Sequence, residues 1–244
     1  MFVTQSTVQL NSAVTDTHDL VLLHGALGAS SQFASLADAL RSRHRVHLLD
    51  FEGHASSPFR GRPFRISLFT ENVLGLLDAK GIEQACLFGH SMGGYVALVL
   101  ALEHPDRVAR VATLGTKFRW DTNNSSREAA RLDAATIRAR VPRFADALEA
   151  RHAAAGGWEA VLERTADFLR DLGGRPILTD ETLGMIEVPV RVIVGDRDNT
   201  VGVEESTEVA HALQAGSVAV LPNVPHPIEQ VPLDALLPVL LGFL

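Results

Sequence analysis

ACLFGHSMGGY, residues 85–95, is the stretch that decides the fold. Its first four residues are apolar and predict a short buried strand, and an apolar helical pattern follows at once. Between them, Gly89 to Gly93 has the form G-x-S-x-G, which at a strand-to-helix turn is typical of a nucleophile elbow. Such a turn strains the backbone at Ser91 and exposes its hydroxyl at the carboxyl edge of the sheet. The alternative is a glycine-rich turn with an incidental serine, but the flanks favour a catalytic Ser91.

Strands and helices alternate on both sides of this stretch. Short apolar runs predict five further strands, at 19–23, 46–49, 108–114, 190–194 and 218–221. This alternation predicts an α/β fold, with a mostly parallel sheet covered by helices on both faces. Residues 2–14 alternate more loosely and predict an edge hairpin.

The alternation breaks in the segment from Lys117 to Glu187, which has at least two helical patterns and no convincing strand. One pattern is an apolar stripe from Trp158 to Leu172, for which we predict packing rather than ligand binding. We interpret the segment as a helical cap at the carboxyl edge of the sheet, where ligands bind in open α/β sheets. The predicted domains are an α/β core of residues 1–116 and 188–244 and an inserted cap of residues 117–187.

Composition limits the partners. A hydrophobic fraction of 46% and a charged fraction of 21% are those of an ordinary globular protein. The net charge of −7 argues against nucleic acid or an anionic membrane, since both attract clustered Lys and Arg. No signal peptide is evident, and the longest apolar run, Tyr95 to Leu102, is too short to span a bilayer. We expect a cytoplasmic protein that acts on a small molecule, with its single cysteine, Cys86, packed in a strand.

A catalytic serine needs a base, and the base needs a carboxylate to orient it. Downstream of Ser91, His104 lies at the far end of the elbow helix, while His152 and His211 lie in helical patterns. Only His226 follows a late strand on a loop, and the three prolines of that loop would hold it in place. We therefore predict His226 as the base.

The orienting acid should follow the strand at 190–194, where both Asp196 and Asp198 are available. Asp198 lies further into the loop and is the preferred acid, whereas Asp196 is predicted to cap the turn at the strand end. Asp121, the first carboxylate after the strand at 108–114, is a weaker alternative.

An oxyanion hole needs two backbone amides directed at the developing negative charge. One is predicted to be the amide of Met92, which follows the serine. The second is expected from Ala26, in the loop after the first strand, where Gly25 permits a tight turn.

Two further histidines, His24 and His90, are interpreted either as additional acid–base groups or metal ligands, or as residues that brace their loops. The bracing role is favoured. His44 and His47 are three apart on a predicted strand and point to opposite faces, so no metal site is expected. No cofactor is expected either.

Over nearly its whole length, the sequence resembles the α/β-hydrolase family, specifically small serine hydrolases with a helical cap. In the acid-loop pattern of that family, a glycine is followed three positions later by the catalytic aspartate, which here is Asp198. The glycine-rich Asp-x-x-Gly-x-Gly-x-Ser loop of the family has Ala55 in place of its second glycine, and Pro227 directly follows the predicted base. The resemblance rests on His24 to Gly28, Asp50 to Ser56, Gly89 to Gly93, Gly195 to Asp198, and His226.

The resemblance implies a serine hydrolase that works through an acyl-enzyme, with a carboxylic ester as the default substrate. Lactones, thioesters and carbon–carbon bonds of diketones remain open, as does a ligand sensor that keeps the triad without efficient turnover. Lys117 and Trp120 at the cap entrance are interpreted either as contacts to an anionic or aromatic substrate or as solvated structural residues. The candidate substrate-binding residues are His24, Leu27, His90, Lys117 and Trp120.

Overall fold

A parallel six-stranded sheet forms the middle layer of the protein. The computed structural model describes residues 18–244, so the hairpin predicted at 2–14 lies outside the described residues. The strand order is β2-β1-β3-β4-β5-β6, and every neighbouring pair is parallel. The predicted α/β class is therefore confirmed. The strands are β1 His18–Leu23, β2 His44–Leu49, β3 Ala85–His90, β4 Val108–Leu114, β5 Val190–Gly195 and β6 Gly216–Leu221.

Helices connect the strands and cover both faces of the sheet. The elbow helix α3 begins at Met92, directly after the turn, as predicted, and α2 is capped by Gly81, whose φ of 66° is left-handed. The α-helices of the described residues are α1 Ala34–Leu40, α2 Ile66–Lys80, α3 Met92–Glu103, α4 Thr122–Ala130, α5 Ala134–Arg140, α6 Pro142–His152, α7 Trp158–Gly174, α8 Asp180–Leu183, α9 Val203–Ala212 and α10 Leu233–Leu241.

The hydrophobic core lies on the two faces of the central strands. All six residues of β3 are buried, as expected for a strand covered on both sides. Leu87 faces the cluster that contains α2, α3 and α9, whereas Cys86 and Phe88 face the cluster that contains α1 and α10. Cys86 is packed as predicted, and burial raises the pKa of its thiol. The sheet is thus a rigid support for the loops at its carboxyl edge.

Helices α4 to α8 occupy the chain between β4 and β5, and residues 117–187 contain no strand. The apolar stripe of α7 joins the same core cluster as α2 and α3, with the rings of Phe168 and Phe69 5.8 Å apart. The domain boundaries at 117 and 187 stay a prediction. Over the described part of the chain, every helix is too short or too polar to cross a bilayer.

Candidate active site

The turn between β3 and α3 holds Ser91 in a strained conformation. Its φ and ψ are 52° and −119°, a region that a residue with a side chain rarely adopts. The amide of Ser91 donates to Leu114 O at the end of β4, at 2.9 Å, and its carbonyl accepts from Thr116 Oγ1 at 3.0 Å. Because the neighbouring strand and the loop after it hold both sides of the turn, the strain persists.

The two glycines of the elbow motif are required by close backbone contacts. A Cβ on Gly89 would lie 2.3 Å from the carbonyl oxygen of Gly93, and a Cβ on Gly93 would lie 2.2 Å from Leu23 O. No side chain fits at either position, since real Cβ contacts are longer than 3.0 Å. The spacing G-x-S-x-G is therefore a consequence of how closely α3 passes the strands.

The loops after β5 and β6 bring Asp198 and His226 together. His226 Nδ1 donates to Asp198 Oδ2 at 2.8 Å, and Asp198 Oδ1 accepts from the amides of Thr200 at 2.7 Å and Val201 at 3.1 Å. Burial alone would raise the pKa of the Asp198 carboxyl, but the hydrogen bonds from His226 and the two amides hold it below its ordinary value. An ionised Asp198 keeps the proton on Nδ1 and leaves Nε2 of His226 as an acceptor.

The other candidate acids have structural partners. Asp196 Oδ1 accepts from the amide of Asn223 at 2.5 Å, so it supports the loop of His226 rather than the turn that we predicted it to cap. Asn223 is left-handed, with a φ of 59°, and this bond helps to hold it. Asp121 begins α4, where its carboxylate accepts from the amides of Asn123 and Asn124. Of the three carboxylates, only Asp198 bonds His226.

The loop after β1 makes a tight turn beside the elbow. The carbonyl of Gly25 accepts from the amide of Gly28 at 3.0 Å and from His24 Nδ1 at 2.8 Å. Leu27 in this turn is left-handed, with a φ of 59°, at a cost of about 1–2 kcal/mol. The amides of Ala26 and Met92 donate to no other group of residues 18–244, and both residues border a cleft with Ser91. Two free amides thus lie where an oxyanion hole is predicted.

An apolar cleft opens at Ser91 beneath α7. Three members of the α7 stripe border it as well as packing in or against the core, so for them our choice of packing over ligand binding stays a prediction. Most of the stripe residues are nevertheless buried in the core. The principal apolar lining residues are Ile66, Tyr95, Trp120, Phe168, Leu169 and Leu172.

Lys117 and Trp120, at the start of the segment 117–187, both border the apolar cleft. Lys117 Nζ lies 4.0 Å from Glu205 Oε2 and 5.6 Å from the centre of the Trp120 ring, and Trp120 Nε1 donates to Lys117 O at 3.0 Å. The ammonium group already has a carboxylate and an aromatic partner. Its charge is therefore partly neutralised within the protein.

A second cleft opens at Ser91 on the side of α6 and is bordered by His226. We call it the polar cleft because the charged side chains of Arg151 and Glu229 lie at its border. Arg151 Nη2 lies 3.1 Å from Glu229 Oε1, and Gln32 Nε2 donates to the same oxygen at 2.5 Å. Phe144, which is 45% exposed, completes this side. Ser91 thus borders both clefts, and His226 borders only the polar cleft of the two.

Comparison with known proteins agrees with this architecture. The family model described as alpha/beta hydrolase fold matches residues 20–157, which is more than half of the chain. The chain belongs to the alpha/beta hydrolase fold family.

Relatives of this alpha/beta hydrolase match over part of their length. It is 39% identical over 99 residues to a pimeloyl-acyl-carrier-protein methyl ester esterase of Aeromonas hydrophila, a match that covers 40% of this chain and 37% of the relative. It is 35% identical over 113 residues to a 2-hydroxymuconate semialdehyde hydrolase of Pseudomonas putida, covering 42% and 40%. The chain thus spans about two fifths of the length of these curated relatives.

Solved structures share the fold over a longer stretch. An enol-lactonase from Burkholderia xenovorans superposes with a TM-score of 0.73 at 24% identity, covering 93% of this chain and 91% of that one. A thermophilic esterase from Thermogutta terrifontis gives the same TM-score and coverage at 22% identity. At such identities the likeness shows the alpha/beta hydrolase fold alone.

Two buried histidines of this alpha/beta hydrolase brace the loops of the site. His24 is fully buried and its Nε2 accepts from the amide of Phe51 at 3.1 Å, so the structure favours bracing over the substrate contact considered for it. His90 borders the polar cleft, but its Nε2 donates to His226 O at 3.0 Å. Burial lowers the pKa of each to about 4, so both are neutral near pH 7. Across residues 18–244, no three His, Cys, Asp or Glu side chains are grouped to hold a metal ion.

The role of His152, the buried histidine at the end of α6, was not predicted from the sequence. Its Nδ1 accepts from the amide of Ala55 at 3.1 Å, and its Nε2 donates to Leu27 O at 3.0 Å. Ala55, which replaces the second glycine of the family loop, keeps the left-handed backbone with a φ of 46°. The missing glycine was the one signal available, because an alanine in that conformation needs support from elsewhere.

Proposed function

We propose that this alpha/beta hydrolase is a serine hydrolase that cleaves an ester-like bond of a small molecule. The observation that carries the proposal is that the hydrogen-bonded pair of His226 and Asp198 borders the same cleft as the strained Ser91. A serine, a buried ionised carboxylate and a histidine, in this order along the chain, are the parts of a nucleophilic triad.

In the first half of the reaction, His226 Nε2 accepts the hydroxyl proton as Ser91 Oγ attacks the substrate carbonyl. The negative charge that develops on the carbonyl oxygen is stabilised by the amides of Ala26 and Met92, which have no partner among the described residues. Asp198 stabilises the imidazolium of His226 and keeps it in the required orientation. Collapse of the tetrahedral intermediate passes the proton to the leaving oxygen and forms an acyl-enzyme. Water then attacks the acyl-enzyme by the same route in reverse.

The two clefts receive different parts of the substrate. The leaving oxygen must take its proton from His226, so the alcohol portion is assigned to the polar cleft, which His226 borders. The acyl portion is then assigned to the apolar cleft, whose lining includes Met92 and lacks His226. Phe168 and Leu172 there favour an uncharged hydrocarbon chain, since burying apolar surface is favourable and an unpaired charge is costly.

A carboxylic ester with an apolar acyl group is therefore the substrate class that we propose. The named relatives include a methyl ester esterase, which is consistent with this class. We also propose that residues 117–187 form a cap, because α6 supplies Phe144 and Arg151 to one cleft and α7 supplies Phe168 to the other.

The test is turnover of a panel of p-nitrophenyl esters by the wild type and by Ser91→Ala. We expect the substitution to lower kcat by about 10⁴- to 10⁶-fold, because the nucleophile is lost. Ser67→Ala, a change at an exposed serine of α2, is the matched control and should retain full activity. Many turnovers per active site support an enzyme, whereas one equivalent of product with no further release would indicate the sensor alternative. Full activity in Ser91→Ala would overturn the proposal.

A further inference from the structure

We infer that His152 is a positioning residue that holds the oxyanion loop, Gly25 to Gly28, from the far side of the site. The inference rests on the proposed function, since it concerns how the amide of Ala26 is kept in place. His152 belongs to α6, outside the loops that carry Ser91, Asp198 and His226.

Both ring nitrogens of His152 have backbone partners of opposite kind. The amide of Ala55 donates to Nδ1, so that nitrogen carries no proton, and Leu27 O accepts from Nε2, so that nitrogen does. One neutral tautomer satisfies both contacts, and an imidazolium satisfies only one. Burial lowers the pKa of His152, which keeps the ring neutral at ordinary pH. The ring therefore joins two loops that are 28 positions apart in the sequence, at residues 27 and 55.

The two residues that His152 bonds are both strained. Leu27 and Ala55 have φ values of 59° and 46°, and neither is a glycine. Residues in such conformations persist only where the surrounding structure fixes them, and His152 contacts both. The neighbouring Arg151 adds a second bond, from Nη1 to Leu27 O at 2.8 Å. Both acceptor positions of this carbonyl are thus occupied by donors from α6.

The direction of the Ala26 amide depends on this arrangement. Leu27 follows Ala26 directly, in a turn whose other contacts are the bonds to Gly25 O. If Leu27 relaxes to a right-handed backbone, the peptide before Ala26 can reorient. The oxyanion contact forms fully only in the transition state, so its misplacement should lower kcat with little change in KM. Docking of α6 is thereby linked to the rate of the chemical step.

Three substitutions test the two hydrogen bonds of the His152 ring separately. His152→Leu removes both, His152→Gln retains a donor near the position of Nε2, and His152→Asn retains an acceptor near the position of Nδ1. His211→Gln, on the exposed face of α9, is the matched control and should have wild-type kinetics.

The measurements are kcat and KM per active site titrated with a fluorophosphonate, the inhibition constant of phenylboronic acid, and the thermal midpoint. Phenylboronic acid forms a tetrahedral adduct on the serine, whose oxygen occupies the oxyanion hole.

We expect His152→Leu and His152→Asn to lower kcat by about 10- to 100-fold, with KM within about threefold of the wild type. Phenylboronic acid should bind more weakly by a similar factor, and His152→Gln should recover much of both losses because it retains the bond to Leu27. The inference is overturned if the Asn and Gln variants both have wild-type kcat per titrated site and wild-type affinity for phenylboronic acid. This holds even if their thermal midpoints fall. That result would leave the proposed function intact, because Ser91→Ala tests it separately. If His152→Leu does not fold, the Asn and Gln pair still decides the outcome.

Discussion

The loops at the carboxyl edge of the sheet and the helices between β4 and β5 border the same clefts but are built differently. In the loops, Ser91, Asp198 and His226 are held by backbone contacts that leave no space for variation, as at Gly89 and Gly93. In the helices, Phe144 and Phe168 reach the clefts only because their helix faces pack in a particular orientation.

This difference separates two kinds of function. Proposed chemistry depends on groups whose positions are fixed to fractions of an ångström, and a small displacement there costs much of the rate. Proposed selectivity depends on the shape and polarity of the clefts, which can change one side chain at a time with modest effects. The residue pairs below test whether the protein divides its functions in this way.

The largest contrast is expected between two aspartates of one loop. In Asp198→Asn, the amide oxygen would accept from Thr200 and Val201, leaving an NH₂ group facing His226 Nδ1. Nδ1 must then be the acceptor, the proton moves to Nε2, and the base is lost, so kcat should fall by about 10⁴-fold. Asp196→Asn keeps an oxygen for the amide of Asn223 and should retain most of the activity. Steady-state kinetics on both variants measures the contrast, and the reverse ranking would move the acid to Asp196.

An intermediate effect is expected at Gly115, which has a φ of 59°. A Cβ there would lie 2.9 Å from Asp198 Oδ2 and 3.3 Å from His226 Nδ1, so Gly115→Ala should displace the pair and lower kcat by about 10- to 100-fold. Gly81→Ala is the matched control, because Gly81 has a similar φ of 66° and nothing within 4 Å of its Cβ position. Both variants should lose about 1–2 kcal/mol in a urea unfolding measurement. Equal activity in Gly115→Ala and Gly81→Ala would show that crowding of Asp198 and His226 has no effect on catalysis.

The smallest effect is expected in the helices. Phe168→Leu should change the preference for acyl chain length by about threefold to tenfold, because it reshapes the apolar cleft. Phe144→Leu should leave that preference unchanged and alter the preference among alcohols, because Phe144 borders the polar cleft. Two ester series measure this, one varying the acyl group and one varying the alcohol. An exchange of the two effects would reverse our assignment of the clefts.

The sequence predicted the loops much better than the helices, for a physical reason. Gly89, Ser91 and Gly93 stand at a turn that tolerates few alternatives, so the motif itself carries the geometry. The positions of the strands along the chain followed from short apolar runs, and the start of α3 followed from the helical pattern directly after the elbow. Local rules of this kind need no knowledge of tertiary packing.

Helical patterns in the segment 117–187 carried less information. Apolar spacing at Phe168 and Leu172 is the same whether a residue packs in the core or borders a cleft, so the pattern did not show that both residues also border a cleft. His152 was predicted to lie in a helix, and it does. Its role, however, depends on contacts with Leu27 and Ala55, which are far away in the sequence. The hydrogen-bond partner of Asp196 was predicted wrongly for the same reason, since Asn223 lies on another loop.

The bond between Ala55 and His152 also makes one backbone amide a reporter of how firmly α6 is docked. The acceptor of the Ala55 amide is a side chain of a separate helix, and Ala55 is itself left-handed and lies in a loop. Whenever α6 separates from the loops, that amide loses its partner and can exchange its hydrogen with solvent. The deuterium uptake of this single position therefore gives the free energy of opening of α6, measured without substrate and without any substitution.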